Sequence, residues 1–461
     1  MERPMDEMLQ RAAGRIRAHM PGHSGRAPLG ETELYRLDTT ETSCTDNLYA
    51  PESGILKAQI LYARSMGSAA CIFLHNGSTQ GVHAMLEMGL RDGDTVILPR
   101  NAHLSAQSAC ILAGLRAVWI PLSMTEDGYP YIRPEDVLQT MKQTPEAKCI
   151  LLTRPDYYGG CIPLETIAQE AHAMKMRLVI DEAHGAHLHY LHDFPDAGAS
   201  GADVWVQSVH KTLPALTGSA VLHLADPDDL PRAMEVIRRE QTSSPSFLLM
   251  RSVDDARAYM ETQGRDHLAR VCAEGEHLRR KLPQWGYADP TERWQEITGY
   301  RFDPLHVVIE APQGGRALMR ALEAAGADPE MADDRRVVLL YGAGTPVEIM
   351  EKMEDLLEAV PACRAPARMF PDPGPCPPCV LSMREAALAD RAWVRWGEAE
   401  GRVCAQAFGL YPPGIPLCMP GERITREILL RVGAVPPQDR FGMKGEYVQC
   451  VEPSYLTLTG H

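Results

Sequence analysis

The chain has 461 residues, of which 45% are apolar and 23% are charged, and its formal net charge at pH 7 is -15. This length predicts two or three domains, and the acidic balance argues against a nucleic-acid partner or an anionic membrane surface, which both require a basic face. No stretch approaches the ~18 uninterrupted apolar residues of a membrane-spanning helix, and the N-terminus is charged where a signal peptide has its apolar core. We therefore expect a cytoplasmic globular protein.

The predicted elements begin with a helix over about 5–17 and extended chain to about residue 54, which together resemble an arm rather than a domain. A helix over 55–66 follows. Downstream, short apolar strands alternate with helices, a pattern typical of a mostly parallel sheet covered on both faces. The predicted strands are Ala70–Leu74, Thr95–Leu98, Ala117–Ile120, Cys149–Thr153, Leu178–Ile180 and Ala202–Val206, and the predicted helices among them are Thr79–Leu90, Ser105–Ala113 and Leu164–Met174.

A glycine-containing segment, His75 to Thr79, follows the first of these strands and opens a helix. Gly77 lets the backbone approach a ligand, and Ser78 and Thr79 add hydroxyls beside the unpaired N–H groups of the helix start. The pattern favours an anion site, most simply for a phosphate. An ordinary Ser/Thr helix cap is the alternative.

Asp181 ends another predicted strand, and a carboxylate placed there needs a cationic partner or hydrogen bonds. Histidines follow it at His184, His187, His189 and His192. Three interpretations of this run stay open: a metal site, solvated or core histidines, and one catalytic histidine. Glycine and alternating small residues do not hold the rings on one helix face, which argues against the metal.

Two further strand ends bear groups with useful chemistry. His103 follows the strand that ends at Leu98, and its flat ring could stack on a flat cofactor, although a capping or core histidine is the alternative. Lys211 lies in the polar loop Gln207 to Thr212, beside His210. A lysine attacks a carbonyl only as the neutral amine, which burial or a nearby cation favours. A surface lysine is the alternative.

Parallel sheets collect ligands at the carboxyl ends of their strands. The strand ends of this chain supply an anion cradle, a flat ring, a carboxylate, a histidine and a lysine. Pyridoxal 5'-phosphate (PLP) uses all of these, because its phosphate needs a cradle, its ring nitrogen a carboxylate, its ring a stacking partner and its aldehyde a lysine. The combination predicts a PLP site and is more specific than any of its members.

Over nearly its whole length the chain resembles the fold-type-I Orn/Lys/Arg decarboxylase family. The segments that match are His19 to His23, Asp38 to Gly54, Asn76 to Thr79, Arg100 to His103, Tyr157 to Gly159, Asp181 to His187, Gln207 to Thr212, Thr242 to Ser246, Arg384 to Ala386, Tyr411 to Pro416 and Pro420 to Glu422.

The resemblance implies an α/β, PLP-dependent transferase-like fold with a mostly parallel seven-stranded sheet in a large domain and a smaller α+β C-terminal domain. We expect an N-terminal arm over 1–54, the PLP-binding large domain over 55–250 and a small α+β domain over 251–360, with strands at Leu305–Glu310 and Val337–Leu340. A Pro/Cys-rich linker over 361–380 and a C-terminal module over 381–461 should follow.

The resemblance also implies roles for individual residues. Lys211 should hold the cofactor covalently, Asp181 should pair with its pyridine nitrogen, and His103 and Ala183 should pack on opposite faces of its ring. His184 should lie on the side of the 3'-oxygen. The residues expected at the phosphate are Gly77, Ser78, Thr79, Ser208 and His210, with His210 also near the reacting carbon.

Two further groups of residues receive roles from the family. Thr242 and Ser243 resemble a segment that such enzymes pass across a dimer interface, so a homodimer or higher homo-oligomer with shared sites is expected. Glu41 and Asp46 could accept the distal cation of a basic substrate, although solvated surface acids are the alternative for both.

The reaction that the resemblance implies is decarboxylation of arginine, lysine or ornithine to the corresponding amine and CO2. One alternative is another PLP reaction, an aminotransferase or carbon–carbon lyase, for which Arg301, Arg335 or Arg336 could clamp a carboxylate. A catalytically reduced homologue that only binds a partner is the alternative of another class, and the presence of both Lys211 and Asp181 argues against it.

Departures from the family pattern make the choice of substrate uncertain. Ser24 stands where the family has lysine, Gly218 where we expect glutamine, Val82 where a small residue or asparagine is usual, and Arg154 is unusual in a strand-end loop. The cysteines lie mostly in apolar runs, which indicates reduced thiols. A metal site is not expected, because the prolines between Cys376 and Cys379, with Cys363 upstream, do not suit a tight zinc knuckle.

Overall fold

The computed structural model describes residues 1–13, 32–192, 194–360, 362, 374–411 and 414–455. The chain forms two compact units, each assembled from segments far apart in sequence. The first unit comprises Met1–Met88, Leu178–Ala273 and Tyr341–Val347, and the second comprises Gly89–Arg177, Glu274–Leu340 and Glu348–His461. The consecutive domains expected from the sequence stay a prediction.

The described α-helices are distributed over both units. In chain order they are α1 Pro4–Ala13, α2 Thr32–Leu37, α3 Gly54–Ser65, α4 Gly77–Glu87, α5 Leu104–Ala113, α6 Pro134–Gln143, α7 Glu165–Ala173, α8 Val209–Thr212, α9 Leu230–Glu240, α10 Phe247–Tyr259, α11 Arg265–Lys281, α12 Thr291–Thr298, α13 Gly315–Ala324, α14 Val347–Ala359, α15 Met383–Leu388 and α16 Arg426–Gly433.

The described strands alternate with these helices through the first half of the chain. They are β1 Ala70–Leu74, β2 Thr95–Pro99, β3 Arg116–Ile120, β4 Ser123–Met124, β5 Pro130–Tyr131, β6 Cys149–Thr153, β7 Gly160–Cys161, β8 Arg177–Asp181, β9 Val204–Gln207, β10 Ala220–Leu224, β11 Arg301–Phe302, β12 His306–Glu310, β13 Met331–Ala332, β14 Arg336–Leu340, β15 Arg391–Arg395, β16 Phe408–Leu410, β17 Ile415–Cys418, β18 Arg440–Phe441 and β19 Tyr447–Val451.

Seven strands form the main sheet, in the order β1-β10-β9-β8-β6-β2-β3. β2 pairs in parallel with β3 and β6, and β8 pairs in parallel with β9. β10 runs antiparallel to both β1 and β9, so β1, β8 and β9 point the same way and their carboxyl ends meet at one edge. The predicted α/β fold with a mostly parallel seven-stranded sheet is confirmed.

Continuous burial explains why these strands form. Every residue of β2, β9 and β10 is buried, as expected for strands covered on both faces, which need uninterrupted apolar side chains. The apolar runs of the sequence therefore located β2 and β9 to within two residues, whereas β10 was not predicted.

The N-terminal helix α1 packs within the first unit. Met5, Met8 and Leu9 of α1 are buried, and a Cβ on Gly54, the first residue of α3, would stand 2.6 Å from the sulfur of Met8. Glycine thus permits the close approach of the two helices. The prediction of extended chain before residue 54 is wrong at α2, which is helical. The residues 14–31, including the predicted end of the first helix and Ser24, lie outside the described residues.

The second unit adds small antiparallel sheets. β12, β14 and β13 form one of them, and β12 and β14 agree with the strands predicted near 305 and 337. Tyr129 stacks on Trp294 at 4.2 Å between ring centroids, and both side chains are fully buried. In the C-terminal part, a further core includes Phe408, Ile428 and Val448.

Two composition-based expectations can be compared with the structure. Within the described ranges, no helix is both long enough and apolar enough to cross a bilayer. The described cysteines are reduced and most of them are buried, as predicted, and Cys363 lies outside the described residues.

Candidate active site

The start of α4 has the features of a phosphate site. Gly77, its first residue, has φ +70° and donates its N–H to the carbonyl of Gly218 at 2.9 Å. The side chain of Asn76, which precedes the helix, does not cap it. The N–H groups of the next residues, Ser78 and Thr79, therefore lie at the N-terminal end of the helix, where the helix dipole favours an anion.

Ser78 and Ser208 meet although they are 130 residues apart. The Ser208 hydroxyl donates to the Ser78 hydroxyl oxygen at 2.8 Å, because β1 and β9 end at the same edge of the sheet. Ser208 is buried, whereas Ser78 is partly buried and Thr79 is exposed. The structure thus brings together two of the hydroxyls predicted to contact a phosphate.

Asp181 is the last residue of β8 and is only 5% exposed. It pairs in register with Val206 of β9, so Asp181 and Ser208 leave neighbouring strands two residues apart. The N–H of Ala183 donates to its carboxylate at 3.2 Å. A buried carboxylate interacts strongly with any cation that reaches it, because little water screens the charge.

Lys211 lies in the short helix α8 rather than in the open loop that we predicted. Its N–H donates to the carbonyl of Ser208 at 3.1 Å, and the carbonyl of the next residue, Thr212, accepts from the N–H of Ala343 at 2.7 Å. Lys211 is partly buried. Ser208, which directly follows β9, and Ala343 of the segment Tyr341–Val347 therefore both hold this turn. Their hydrogen bonds fix the backbone of Lys211.

His210 has a defined ring orientation. Its Nδ1 lies 2.8 Å from the carbonyl oxygen of Ser219, and since a carbonyl only accepts, Nδ1 must bear a proton. A neutral His210 therefore presents Nε2 as an acceptor, which suits a residue that takes up and delivers a proton.

Gly218 has a structural reason to differ from the glutamine expected by resemblance. Its φ is +94°, a conformation that side-chain-bearing residues rarely adopt, and its carbonyl is the acceptor for Gly77. Glycine at position 218 therefore suits the backbone conformation that places its carbonyl against the N–H of Gly77 at the start of α4.

The turn after β8 is built from buried residues. Ala183 and His184 are each 7% exposed and His187 is fully buried. His189 contacts the carboxylate of Asp196 at 2.5 Å, whereas His192 is exposed. These placements favour core and paired histidines over a shared metal site, and the positions of Ala183 and His184 beside a cofactor ring stay predictions.

The segment with Thr242 and Ser243 joins α9 to α10. Both residues are exposed, and the carbonyl of Thr242 accepts a hydrogen bond from the Tyr49 hydroxyl. Exposure is what a segment needs in order to contact a second subunit, and that role stays a prediction.

The carboxylate of Asp46 binds the backbone of its own loop. Its two carboxylate oxygens accept the N–H groups of Asn47, Glu52, Ser53 and Ile55, each at 2.9 Å. Burial opposes ionisation of Asp46, but these donors lower its pKa. Asp46 thereby organises the turn that begins α3.

Glu41 is partly buried and accepts the Thr40 hydroxyl at 2.6 Å. The substrate contacts predicted for Glu41 and Asp46 stay untested, and the structure adds a structural role for Asp46.

His103 belongs to the second unit and follows β2. Its Nδ1 accepts the N–H of Ser105 at 3.2 Å and lies 2.8 Å from the Ser105 hydroxyl, so it caps α5. The ring is exposed. The capping alternative is therefore confirmed, and stacking on a cofactor, which an exposed ring permits, stays a prediction.

The three arginines considered as carboxylate clamps also lie in the second unit. Arg335 pairs with Glu310 at 2.5 Å, and Arg336, which is 1% exposed, pairs with Asp333 at 3.1 Å. Arg301 is exposed. The first two guanidinium groups are thus already engaged by carboxylates.

Comparison with known proteins identifies the family. Residues 18–313 match the Orn/Lys/Arg decarboxylase major domain, and residues 382–431 match the Orn/Lys/Arg decarboxylase C-terminal domain. The chain belongs to this family. It is therefore a PLP-dependent amino acid decarboxylase, as the sequence predicted.

Relatives match along most of the chain. The uncharacterized protein YaaO of Bacillus subtilis (strain 168) is 35% identical over 433 residues, which cover 89% of this chain and 88% of YaaO. An arginine decarboxylase of the same organism is 28% identical and covers 92% of each chain. The lysine decarboxylase LdcA of Pseudomonas aeruginosa is 25% identical and covers 88% of this chain and 72% of LdcA.

Solved structures show the same fold. The lysine decarboxylase LdcF of Francisella novicida superposes with a TM-score of 0.85 at 16% identity, over 98% of this chain and 81% of LdcF. The constitutive lysine decarboxylase of E. coli gives 0.82 at 18% identity, over 98% of this chain and 82% of that chain.

The residues of the first unit fit PLP. The buried hydroxyls of Thr212 and Ser219 and the Nε2 atom of His75 have no hydrogen-bond partner in the described structure. They stand next to the backbone that forms the phosphate cradle or bears Lys211. Unsatisfied polar atoms in a buried site indicate a ligand or water that pairs with them. Together with the start of α4, Asp181 and Lys211, they provide the donors and the charge that this cofactor requires.

A buried hydrogen-bonded chain behind the site was not predicted. Glu182 is fully buried, and its carboxylate accepts two hydrogen bonds of 2.7 Å, one from the side-chain Nε2 of Gln207 and one from the backbone N–H of Ala197. The side-chain oxygen Oε1 of Gln207 lies 3.2 Å from Nε2 of His223, whose Nδ1 lies 3.2 Å from the Ser68 hydroxyl. Burial lowers the pKa of His223 to about 3, so the ring is neutral and Nε2 donates.

These hydrogen bonds join Glu182, the residue after Asp181, to Gln207, the residue before Ser208. We expect Glu182→Gln to cost about 1–3 kcal/mol of unfolding free energy, because two amides then face each other with a donor unpaired. Gln207→Glu should cost about 3–5 kcal/mol, because a second carboxylate is buried without a cation.

The double exchange, Glu182→Gln with Gln207→Glu, should recover most of that loss. The glutamine introduced at 182 can accept from Ala197 and donate to the new carboxylate at 207, which also accepts from His223. Chemical denaturation of the three variants measures the effect. Additive losses in the double variant would show that the two side chains do not form the pair described.

A second cluster lies at the far end of α4. His83, Glu87 and Glu240 have ligand atoms within 4.8 Å of one another, but the Arg239 guanidinium already contacts both carboxylates, and Gln80 donates to Glu240 at 2.9 Å. We interpret it as an ion-pair cluster. Burial and the neighbouring Glu240 raise the pKa of Glu87 to about 7.

This shift makes stability depend on pH. The ordinary pKa of Glu87 is 4.5, so between 4.5 and about 7 the folded state holds a proton that the unfolded state has lost, and stability falls as pH rises through that window. Glu87→Gln should therefore raise the melting temperature more at pH 8 than at pH 5. Glu235→Gln, at an exposed pair with Arg232 on α9, is the control and should give the same difference at both pH values. An equal effect of Glu87→Gln at both would refute the shift.

Proposed function

We propose that this enzyme decarboxylates a basic amino acid, namely arginine, lysine or ornithine, to agmatine, cadaverine or putrescine and CO2. The observation that supports it most strongly is the meeting of the α4 start, Asp181 and the Lys211 turn at one sheet edge. Relatives that match most of this chain include arginine and lysine decarboxylases.

The residues of the site would have distinct roles in binding the cofactor and in the reaction. PLP, when bound, supplies an electron-withdrawing ring that accepts the electrons left behind when the carboxylate departs. The N–H groups at the start of α4, with Ser78, Thr79 and Ser208, would hold its phosphate. Asp181 would keep the ring nitrogen protonated, since a buried carboxylate favours the charged form of a cationic partner.

Lys211 would hold the cofactor through its amine and give up that place to the amine of the substrate. The α-carbon needs a proton after CO2 has left, and Lys211 or His210 would donate it. His210 is suited to this step because the carbonyl of Ser219 orients its ring. His103 would cover one face of the cofactor and Ala183 the other.

Two observations favour decarboxylation over transamination. Arg335 and Arg336 are engaged by Glu310 and Asp333, so neither offers an open clamp for the α-carboxylate that an aminotransferase would hold. The matched relatives that have named activities and cover more than four fifths of the chain are decarboxylases. A product assay separates the two reactions, because a decarboxylase yields an amine and an aminotransferase a keto acid.

The assay would offer arginine, lysine, ornithine and, as neutral and acidic controls, leucine and glutamate to the purified enzyme with PLP. Arginine is tested first, because a full-length relative is an arginine decarboxylase. We expect one basic amino acid to give its amine with the highest kcat/KM. Keto acid in place of amine would refute the proposal.

We also propose that the enzyme works as a homodimer or higher homo-oligomer, with Thr242 and Ser243 contributing to the neighbouring site. Their exposure on the segment between α9 and α10 supports this. Light scattering combined with activity measurement tests it, and an active monomer would contradict it.

A further inference from the structure

The segment Pro420 to Glu422 matches the family, but none of the chemistry above uses it. Gly421 has φ +89°, and a Cβ there would stand 2.1 Å from the carbonyl oxygen of Leu381, so the turn requires glycine. Its N–H donates to the carbonyl of Cys404 at 2.8 Å. The turn delivers Glu422 into the protein interior, where the residue is 1% exposed.

Glu422 meets Arg100 in a two-pronged ion pair. Arg100 Nη1 and Nη2 contact the two carboxylate oxygens at 2.5 and 2.7 Å, and the same guanidinium donates to the carbonyls of Pro416 and Leu417 at 3.2 Å each. It also lies over the ring of Trp119, 5.2 Å from the centroid. Arg100 is 4% exposed, so little water screens these contacts.

Arg100 begins the segment that ends at His103. Its N–H donates to the carbonyl of Ile120 at 3.2 Å, and the N–H of Ala102 donates to the carbonyl of Pro99 at 2.9 Å. His103 then caps α5. Backbone hydrogen bonds at Arg100 and Ala102 thus hold the short segment that connects the buried ion pair to the ring proposed to cover the cofactor.

We propose that Glu422 is a positioning residue for this site: through Arg100 it holds the Arg100–His103 segment, and thereby His103, in the orientation that the cofactor ring needs. The inference rests on the proposed stacking role of His103. It gives the C-terminal segment a function in cofactor binding in addition to its contribution to the core.

The chain offers a matched control. Asp439, 7% exposed in its side chain, pairs with Arg316 of α13 at 2.7 Å, so it too is a buried C-terminal carboxylate that binds an arginine from earlier in the chain. It has no contact with the Arg100–His103 segment among the described contacts. Asp439→Asn therefore removes a similar charge without the proposed consequence.

Glu422→Gln is expected to weaken PLP affinity about 10-fold, the lower end of the loss seen at metal sites when a partner that orients a ligating side chain is removed. It should also change the visible circular dichroism of the bound cofactor. Asp439→Asn should change neither. Arg100→Lys, which keeps the positive charge but loses the fork, should act in the same direction as Glu422→Gln and provides the test if that variant does not fold.

A double-mutant cycle with His103→Ala decides whether the effect passes through His103. If it does, Glu422→Gln causes no further loss of PLP affinity in the His103→Ala background. Losses that multiply, or equal effects of Glu422→Gln and Asp439→Asn on an enzyme that otherwise binds PLP normally, would overturn this inference alone. An unmodified protein that does not bind PLP would overturn the proposed function and this inference together.

Discussion

Replacing Lys211 by alanine should lower kcat at least about a thousandfold, the scale on which loss of a covalent catalytic group acts. The amine at this position is proposed to hold the cofactor and to return a proton, so its loss removes two steps at once. The helical turn that bears Lys211 is fixed by the Ser208 and Ala343 backbone contacts, and alanine favours a helix, so we expect the fold to survive.

The measurement combines steady-state amine formation with borohydride reduction of the PLP-loaded enzyme, followed by peptide mass analysis. The unmodified enzyme should retain the cofactor on the peptide that contains Lys211, and the variant should retain none there. Lys57→Ala is the matched control, because Lys57 is an exposed lysine of the same unit that pairs with Glu2. Cofactor fixed at another lysine, with activity retained in the variant, would contradict the assignment.

Asp181→Asn is the second change with a large expected effect. It should lower kcat by about 10²–10³-fold, as loss of one preorganised electrostatic group does, since an amide does not hold a proton on the ring nitrogen of the cofactor. The amide keeps the shape of the carboxylate and can still accept the N–H of Ala183, so stability should change little.

Asp203→Asn is the control for this substitution. Asp203 precedes β9 at the opposite edge of the sheet, and its carboxylate accepts the N–H of Leu178 at 2.8 Å. It should leave kcat within about twofold, because surface and backbone-capping changes away from a site act mainly on stability. Similar kcat losses for the two variants would show that Asp181 acts on the fold and not on the cofactor.

The sequence sufficed for features that depend on local pattern. Apolar runs located the strands of the sheet except β10, and polar residues directly after them identified Ser78, Asp181 and Lys211 as a group. Parallel strands place their carboxyl ends together, which explains why Ser78 and Ser208 meet, although their direct contact was not predicted. The resemblance to the family then added individual roles.

Features that depend on distant or backbone contacts were not accessible in this way. The partner of Glu182 is 25 residues away and that of Arg100 is 322 residues away, and no spacing rule connects them. Asp46 resembled a substrate ligand because its acceptors are visible in the sequence, whereas the four N–H donors that occupy it belong to a turn. Lys211 was placed in a loop because a single helical turn has too few residues for a periodic pattern.

The central claim, decarboxylation of a basic amino acid at the Lys211 site, is tested most directly by measuring CO2 and amine together from arginine, lysine and ornithine labelled in the carboxyl group. We predict that one of the three releases labelled CO2 in a 1:1 ratio to its amine, and that Lys211→Ala releases neither. An enzyme that binds PLP yet releases no CO2 from any of the three, or that forms keto acid with the carboxyl label retained, would contradict this account.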